Sequence, residues 1–100
     1  MKFSETEILT HVSGFEWNEG NIIKNWERHK VTYFECEEIF FNEPIVVQHD
    51  KVHSAHENRY FALGKTDEGR LLFVVFAIRG DKIRVISARD MSKKERRCYQ

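Results

Sequence analysis

Residues 71–78 read Leu-Leu-Phe-Val-Val-Phe-Ala-Ile without a polar interruption, and this run constrains the fold more than any other feature. A strand with one wet face needs a polar residue at every second position. A run that is apolar at all of them predicts a central strand covered on both faces. It is far shorter than the roughly 20 residues a membrane-spanning helix requires. Gly80-Asp81 follows, a two-residue hairpin loop whose leading glycine suits a II′ turn, so residues 82–88 should return as the antiparallel neighbour. Upstream, residues 45–48 and 59–64 are rich in β-branched and aromatic side chains and read as two more strands. Residues 50–57 form a polar loop between them, and residues 66–69 a turn.

The first half of the chain carries helical spacing instead. Asn18 caps a helix over residues 19–29, with Glu19 beside the positive end of its dipole and Ile22, Ile23, Trp26 and His29 at helical intervals. Thr32 and Glu35 form a capping box that opens a second helix, with Tyr33, Cys36, Ile39 and Phe40 on its buried side and Pro44 beyond its end. Ser92 and Glu95 repeat the box ahead of a short terminal helix. Phe15-Glu16-Trp17 reads as a short edge strand, and residues 1–14 as a lead-in whose Ile8, Leu9 and Val12 show weak periodicity. With 100 residues there is room for one core, so a single domain over 15–100 is expected. Helices followed by a strand meander predict an α+β domain: two N-terminal helices packed on a small antiparallel sheet of four to five strands, with a short C-terminal helix.

Charge narrows the chemistry. The net charge is zero, but residues 1–58 hold five Lys/Arg against eleven Asp/Glu, and residues 79–100 hold eight against three. That asymmetry points either to a basic surface facing a polyanion or an acidic partner, or to a salt-bridged surface whose two halves face each other. Arg59, Lys65, Arg79, Arg84 and Arg89 all lie on strand segments. Arg59, Phe61, Leu63 and Lys65 share one face of theirs, whereas Arg84 and Arg89 differ in parity and face opposite ways unless a bulge intervenes. Such arginines can fork onto phosphate oxygens. RNA cleavage needs no metal when a base takes the 2′-hydroxyl proton and cations hold the phosphorane; His29, His56 and Glu57 are candidate acid or base groups. The same arginines could equally be ion-pair partners of the many glutamates.

Other chemistries lack support. His49, His53 and His56 have no zinc-type spacing, so no metal or cofactor is expected. Gly64-Lys65-Thr66 lacks the rest of a phosphate loop. Cys36 and Cys98 are expected as free thiols of a reducing compartment. The N-terminal residues lack the order of a secretory signal, so the expected location is cytoplasmic, with no membrane partner. Lys93 and Lys94 oppose the dipole at the start of the last helix, where a bound anion or plain solvation would favour them.

Read in order, Phe15-Glu16-Trp17-Asn18, Asn25, His29-Lys30-Val31-Thr32, Glu57-Asn58-Arg59-Tyr60, Ala62-Leu63-Gly64-Lys65-Thr66, residues 79–89 from Arg79 to the Ile-Ser-Ala-Arg ending, and Glu95-Arg96-Arg97 resemble the BrnT family over about residues 15–99. Asn18 departs from the family's frequent aspartate, a nearly neutral change for a cap. Lys30 departs from its common glycine, at a helix end that favours left-handed geometry. The resemblance implies a RelE-like fold and metal-independent RNA cleavage that arrests translation and growth. It implies a BrnA antitoxin that binds operator DNA through a ribbon-helix-helix domain, in a complex of two toxins and two antitoxins. Carried over, it implies active positions at His29, Glu57, Arg59, Arg79 and Arg89, with Lys65 and Arg84 secondary; Lys93 and Lys94 join these as RNA-binding candidates. The competing expectation is a non-catalytic module that binds a DNA-binding partner through the same basic face. Direct DNA binding ranks below both, because the chain is neutral overall and has no recognition-helix pattern.

Overall fold

The β-rich second half of the chain builds the sheet on which every other element rests. In the computed structural model, which describes residues 4–100, the strands are β1 (Gly14–Glu16), β2 (Val46–His49), β3 (Arg59–Lys65), β4 (Leu71–Arg79) and β5 (Lys82–Asp90), and the helices are α1 (Glu19–His29), α2 (Tyr33–Glu38) and α3 (Lys93–Tyr99). Short 3₁₀ turns cover Thr6–Leu9 and Ile39–Phe41. The sheet runs β1-β5-β4-β3-β2. Both capping boxes form as the sequence suggests, and Gly80 turns the hairpin with φ +60° while Asp81 keeps an ordinary backbone.

The sheet is mixed, not antiparallel throughout. β1 pairs with β5 in parallel, Phe15 opposite Ile83, whereas β2, β3, β4 and β5 follow one another antiparallel. The edge strand itself is legible in Phe15 and Glu16, but its parallel partner, 68 positions away, leaves no local signature. The second helix is also shorter than its apolar spacing implies: it tightens at Ile39, and Tyr33 stays 46% exposed.

One face of the sheet carries the core. Leu72, Val74 and Phe76 of β4, Ala62 of β3, Val47 of β2 and Val85 of β5 are fully buried beneath Cys36 and Ile39. Burial pushes the Cys36 thiol up to about 12, which makes it a packing residue and not a nucleophile. The contact is close enough that a Cβ at Gly64 would lie 2.9 Å from the Ile39 Cβ. Gly64→Ala is therefore expected to cost about 1–3 kcal/mol of stability, seen as a lower urea midpoint at unchanged slope. The opposite face is only partly covered. Leu71, Phe73 and Val75 are half-buried, so β4 is central but not sealed on both sides as its composition suggests.

The lead-in is part of this packing. Ile8, Leu9 and Val12 lie against the core. Glu5 donates its backbone N–H to Val47 O (2.7 Å) and Ser4 Oγ accepts from Val47 N (3.0 Å), at the outer edge of β2. Ser13 then bonds Asp81 at the turn into β5, so the segment spans the sheet from one side to the other.

α1 buries an unexpected side. Asn25 is 2% exposed, whereas Ile23 and Trp26 are about half exposed. The reason lies in β5, whose β1 neighbour ends opposite Arg84. Beyond that point Asn21 Nδ2 donates to Val85 O (3.3 Å) and Ala88 N donates to Asn25 Oδ1 (3.3 Å). The helix presents amides because a strand edge with open backbone groups needs partners.

Candidate functional site

The partly open sheet face collects the strand-borne cations. In the β4–β5 ladder Val75 pairs with Ser87 but Phe76 pairs with Val85, which leaves Ile86 as an extra residue. This bulge resets the alternation of β5. Arg84 stands opposite Ala77 and Arg89 opposite Phe73, and both join the face that carries Arg59, Lys65, Arg79 and Lys82. The parity of Arg84 and Arg89 puts them on opposite faces unless a bulge intervenes, and Ile86 is that bulge.

The face has two ends. At the first, one row crosses the sheet through Arg59, Ala77, Arg84 and Glu16. Ala77 is fully buried beneath the arginines on either side. Arg84 reaches Glu16 (3.3 Å), and Arg79 Nε donates to Glu57 (3.1 Å). The hydrogen bond from Arg79 holds the Glu57 carboxyl below the usual range, so Glu57 is ionised at neutral pH. The Arg59 guanidinium has no hydrogen-bond or ion-pair partner among the described residues; Glu57 feels its charge.

At the second end, about 13 Å along the strands, Arg89 is committed. It forks onto Glu95 of α3 (2.8 and 2.9 Å) and lies 4.1 Å over the Phe73 ring. The fork raises the Arg89 pKa and lowers that of Glu95. Lys93 and Lys94 are exposed on α3, whose first-turn amide is taken by Ser92 rather than left for an anion. Lys65 is half-buried at the edge of this end. His29 belongs to neither group. It ends α1 on the helical side of the sheet, near Asp90, and is not brought to Glu57 or Arg59.

One organising residue escapes sequence reasoning. Arg70 donates to Asp90 (2.7 Å), to Glu35 (3.3 Å) and to the carbonyls of His29 and Lys30, tying the end of α1, the start of α2 and the end of β5. Lys30 there adopts left-handed φ 55°, as its position predicts. Hydrogen bonding from Arg70 lowers the Asp90 pKa; for Glu35, burial opposes ionisation but bonds from Thr32 and Arg70 prevail. Depressed carboxyls contribute stability that is full above their ordinary values of 3.8 and 4.5 and lost as pH falls below them. Arg70→Met should cost about 2 kcal/mol at pH 7. Urea midpoints measured across the acid range should fall less steeply in the variant than in the wild type.

Among the described residues no three His, Cys, Asp or Glu side chains gather as metal ligands would. His53 pairs with Asp50 (3.0 Å) within the 50–58 loop, and His49, at the end of β2, with Asn58 (3.2 Å). No helix among the described residues is long and apolar enough to cross a membrane.

Three comparisons bear on this arrangement. A family profile described as ribonuclease toxin, BrnT, of type II toxin–antitoxin system matches residues 17–95. The crystal structure of the Brucella abortus ribonuclease toxin BrnT is similar at a TM-score of 0.59 and 19% identity, over 82% of this chain and 100% of that one. No curated protein matches the sequence.

Proposed function

The chain belongs to the BrnT family of ribonuclease toxins of type II toxin–antitoxin systems, and from that premise we propose that it is an endoribonuclease that cleaves RNA without a metal on the open sheet face. RNA supplies its own nucleophile, the 2′-hydroxyl. The 2′-oxygen bonds to phosphorus while the P–O5′ bond breaks, leaving a 2′,3′-cyclic phosphate. The protein must therefore remove the 2′-hydroxyl proton, hold the charge on the phosphorane and leave the departing 5′-oxygen open to a proton from solvent. The observation that carries the proposal is the row in which Arg59 and Arg84 flank buried Ala77 on one face, with the ionised, Arg79-held Glu57 alongside. Arg59 offers an uncommitted fork for a phosphate, and Glu57 a carboxylate for the proton. Arg89 supports the site at a distance by holding α3. A BrnA-type ribbon-helix-helix antitoxin would neutralise the toxin in a two-plus-two complex and alone contact DNA, in the cytoplasm. Exposed Trp26, Phe34 and Phe41 offer apolar surface for it.

A second reading has an observation of its own. Arg79, Arg84 and Arg89 are each paired with a glutamate, as a non-catalytic module binding a DNA-binding partner would have them. Tightly induced expression of the chain alone, with RNA integrity followed in parallel, separates the two. Growth arrest with RNA loss, reversed by the neighbouring open reading frame, is expected. Normal growth with intact RNA and soluble protein would select the module.

A further inference from the structure

Beside the cationic row the open face holds a feature that phosphate binding does not use. Phe61 of β3 and Phe73 of β4 are stacked, with ring centroids 5.4 Å apart and planes 28° from parallel. Arg89 covers Phe73 from β5, on the other side of β4, so guanidinium, Phe73 and Phe61 form a three-layer stack that steps across the sheet towards β2. Its last layer, Phe61, borders a cavity of about 280 Å³ between the sheet and α3, lined also by Val46, Gln48, Lys94 and Cys98. Gln48 stands opposite Phe61 in the ladder. Phe61 is two residues from Arg59 on the same face, about 7 Å along the strand. One nucleotide spans that distance between its phosphate and its base.

We propose that this cavity is a nucleobase subsite: a base of single-stranded RNA, next to a phosphate held by Arg59, stacks on Phe61 while Lys94 at the rim attracts the following phosphate. The inference rests on the ribonuclease reading and adds what that site takes besides phosphate. Aromatic faces beside a cationic track are the usual means of holding unpaired bases, because every base offers a π-face whatever its sequence. Double-stranded RNA is excluded, since its bases are already stacked and its edges paired.

The test uses the full chain and short labelled single-stranded RNA that is 2′-O-methylated throughout, so that it binds without being cut. Binding is read by fluorescence anisotropy. Phe61→Leu, which keeps an apolar side chain at the site, is expected to weaken binding about tenfold or more. Lys94→Glu, exposed on α3 and favourable at the start of a helix, should also weaken it while the melting temperature holds. An abasic strand of equal length should bind the wild type as weakly as the normal strand binds Phe61→Leu. Equal affinity for normal and abasic strands, or for wild type and a folded Phe61→Leu, overturns the subsite. A parallel arm with unmodified RNA keeps the two claims apart. Cleavage by the wild type that Phe61→Leu repeats at the same positions and rate leaves the ribonuclease reading and removes the subsite. Base-dependent binding with no cleavage removes the ribonuclease reading and leaves the subsite.

Discussion

Arg59→Ala should lower the rate of RNA cleavage by about two to three orders of magnitude, the usual loss when one preorganised cation is taken from a developing oxyanion. The effect should fall on activity and not on folding. Arg59 makes no ion pair among the described residues, and Glu57 keeps its partner Arg79, so no buried charge is orphaned. Arg59 stands opposite buried Ala77 in the ladder, and loss of its partly buried stem should cost under about 1 kcal/mol. Cleavage of a labelled RNA by purified protein, with a urea melt of the same sample, measures both. Arg89→Ala provides the contrast. Its guanidinium is held by Glu95 and Phe73, so its removal should loosen α3 and lower the melting temperature first. If Arg59→Ala cleaves at the wild-type rate, Arg59 has no part in the reaction.

Deleting Ile86 should be more drastic still. The extra residue lets Val85 and Ala88 both enter the core although they are three positions apart. Without it one half of β5 must turn over. Either Ile83 and Val85 leave the core and Arg84 enters it, or Ala88 leaves and Arg89 enters. Exposing Ile83 and Val85 forfeits about 1.5–3 kcal/mol for each side chain. Burying an arginine adds to this, and the total rivals the 5–15 kcal/mol that holds a typical domain together. The bonds from Asn21 and Asn25 to β5 would be lost with the register. The deletion variant is expected to show no cooperative thermal transition, whereas Ile86→Ala, which keeps the residue count, should melt cooperatively within about 1–2 kcal/mol of wild type. A folded, active deletion variant would mean that the bulge does not set the face.

The same residue explains where sequence reasoning stops. The strand at 71–79, the Gly80 hairpin and the capping boxes at Thr32 and Ser92 are legible because each is decided within a few residues. That Arg59, Lys65, Arg79, Arg84 and Arg89 lie on strands is legible as well, although Lys82, which joins them, is not singled out by the sequence. Their gathering on one face is not. Ile86 is a β-branched apolar residue like its neighbours, and nothing local says that it is the one to be skipped. Period alone likewise puts Trp26 inside and gives no reason to bury Asn25, because the demand for an amide comes from the open edge of β5. Arg70 follows a turn in an acidic stretch and looks like a solvated residue; its partners lie 20 to 41 positions away. His29 sits at its expected helix end, but only the three-dimensional path of α1 shows it on the far side of the sheet from Glu57.

A strand at the rim of a sheet is a template on which other chains can polymerise, and proteins that leave one bare risk aggregation. Ser4 and Glu5 occupy the outward backbone groups of Val47, and the Glu5 carboxylate accepts from His49 N (3.4 Å). Among the described residues these two thus imitate a sixth strand without being one, and they cap the hydrogen-bonded ladder at Val47. Any partner that enlarges this sheet in register must do so past β1, where the neighbouring strand runs parallel, or first peel the lead-in away.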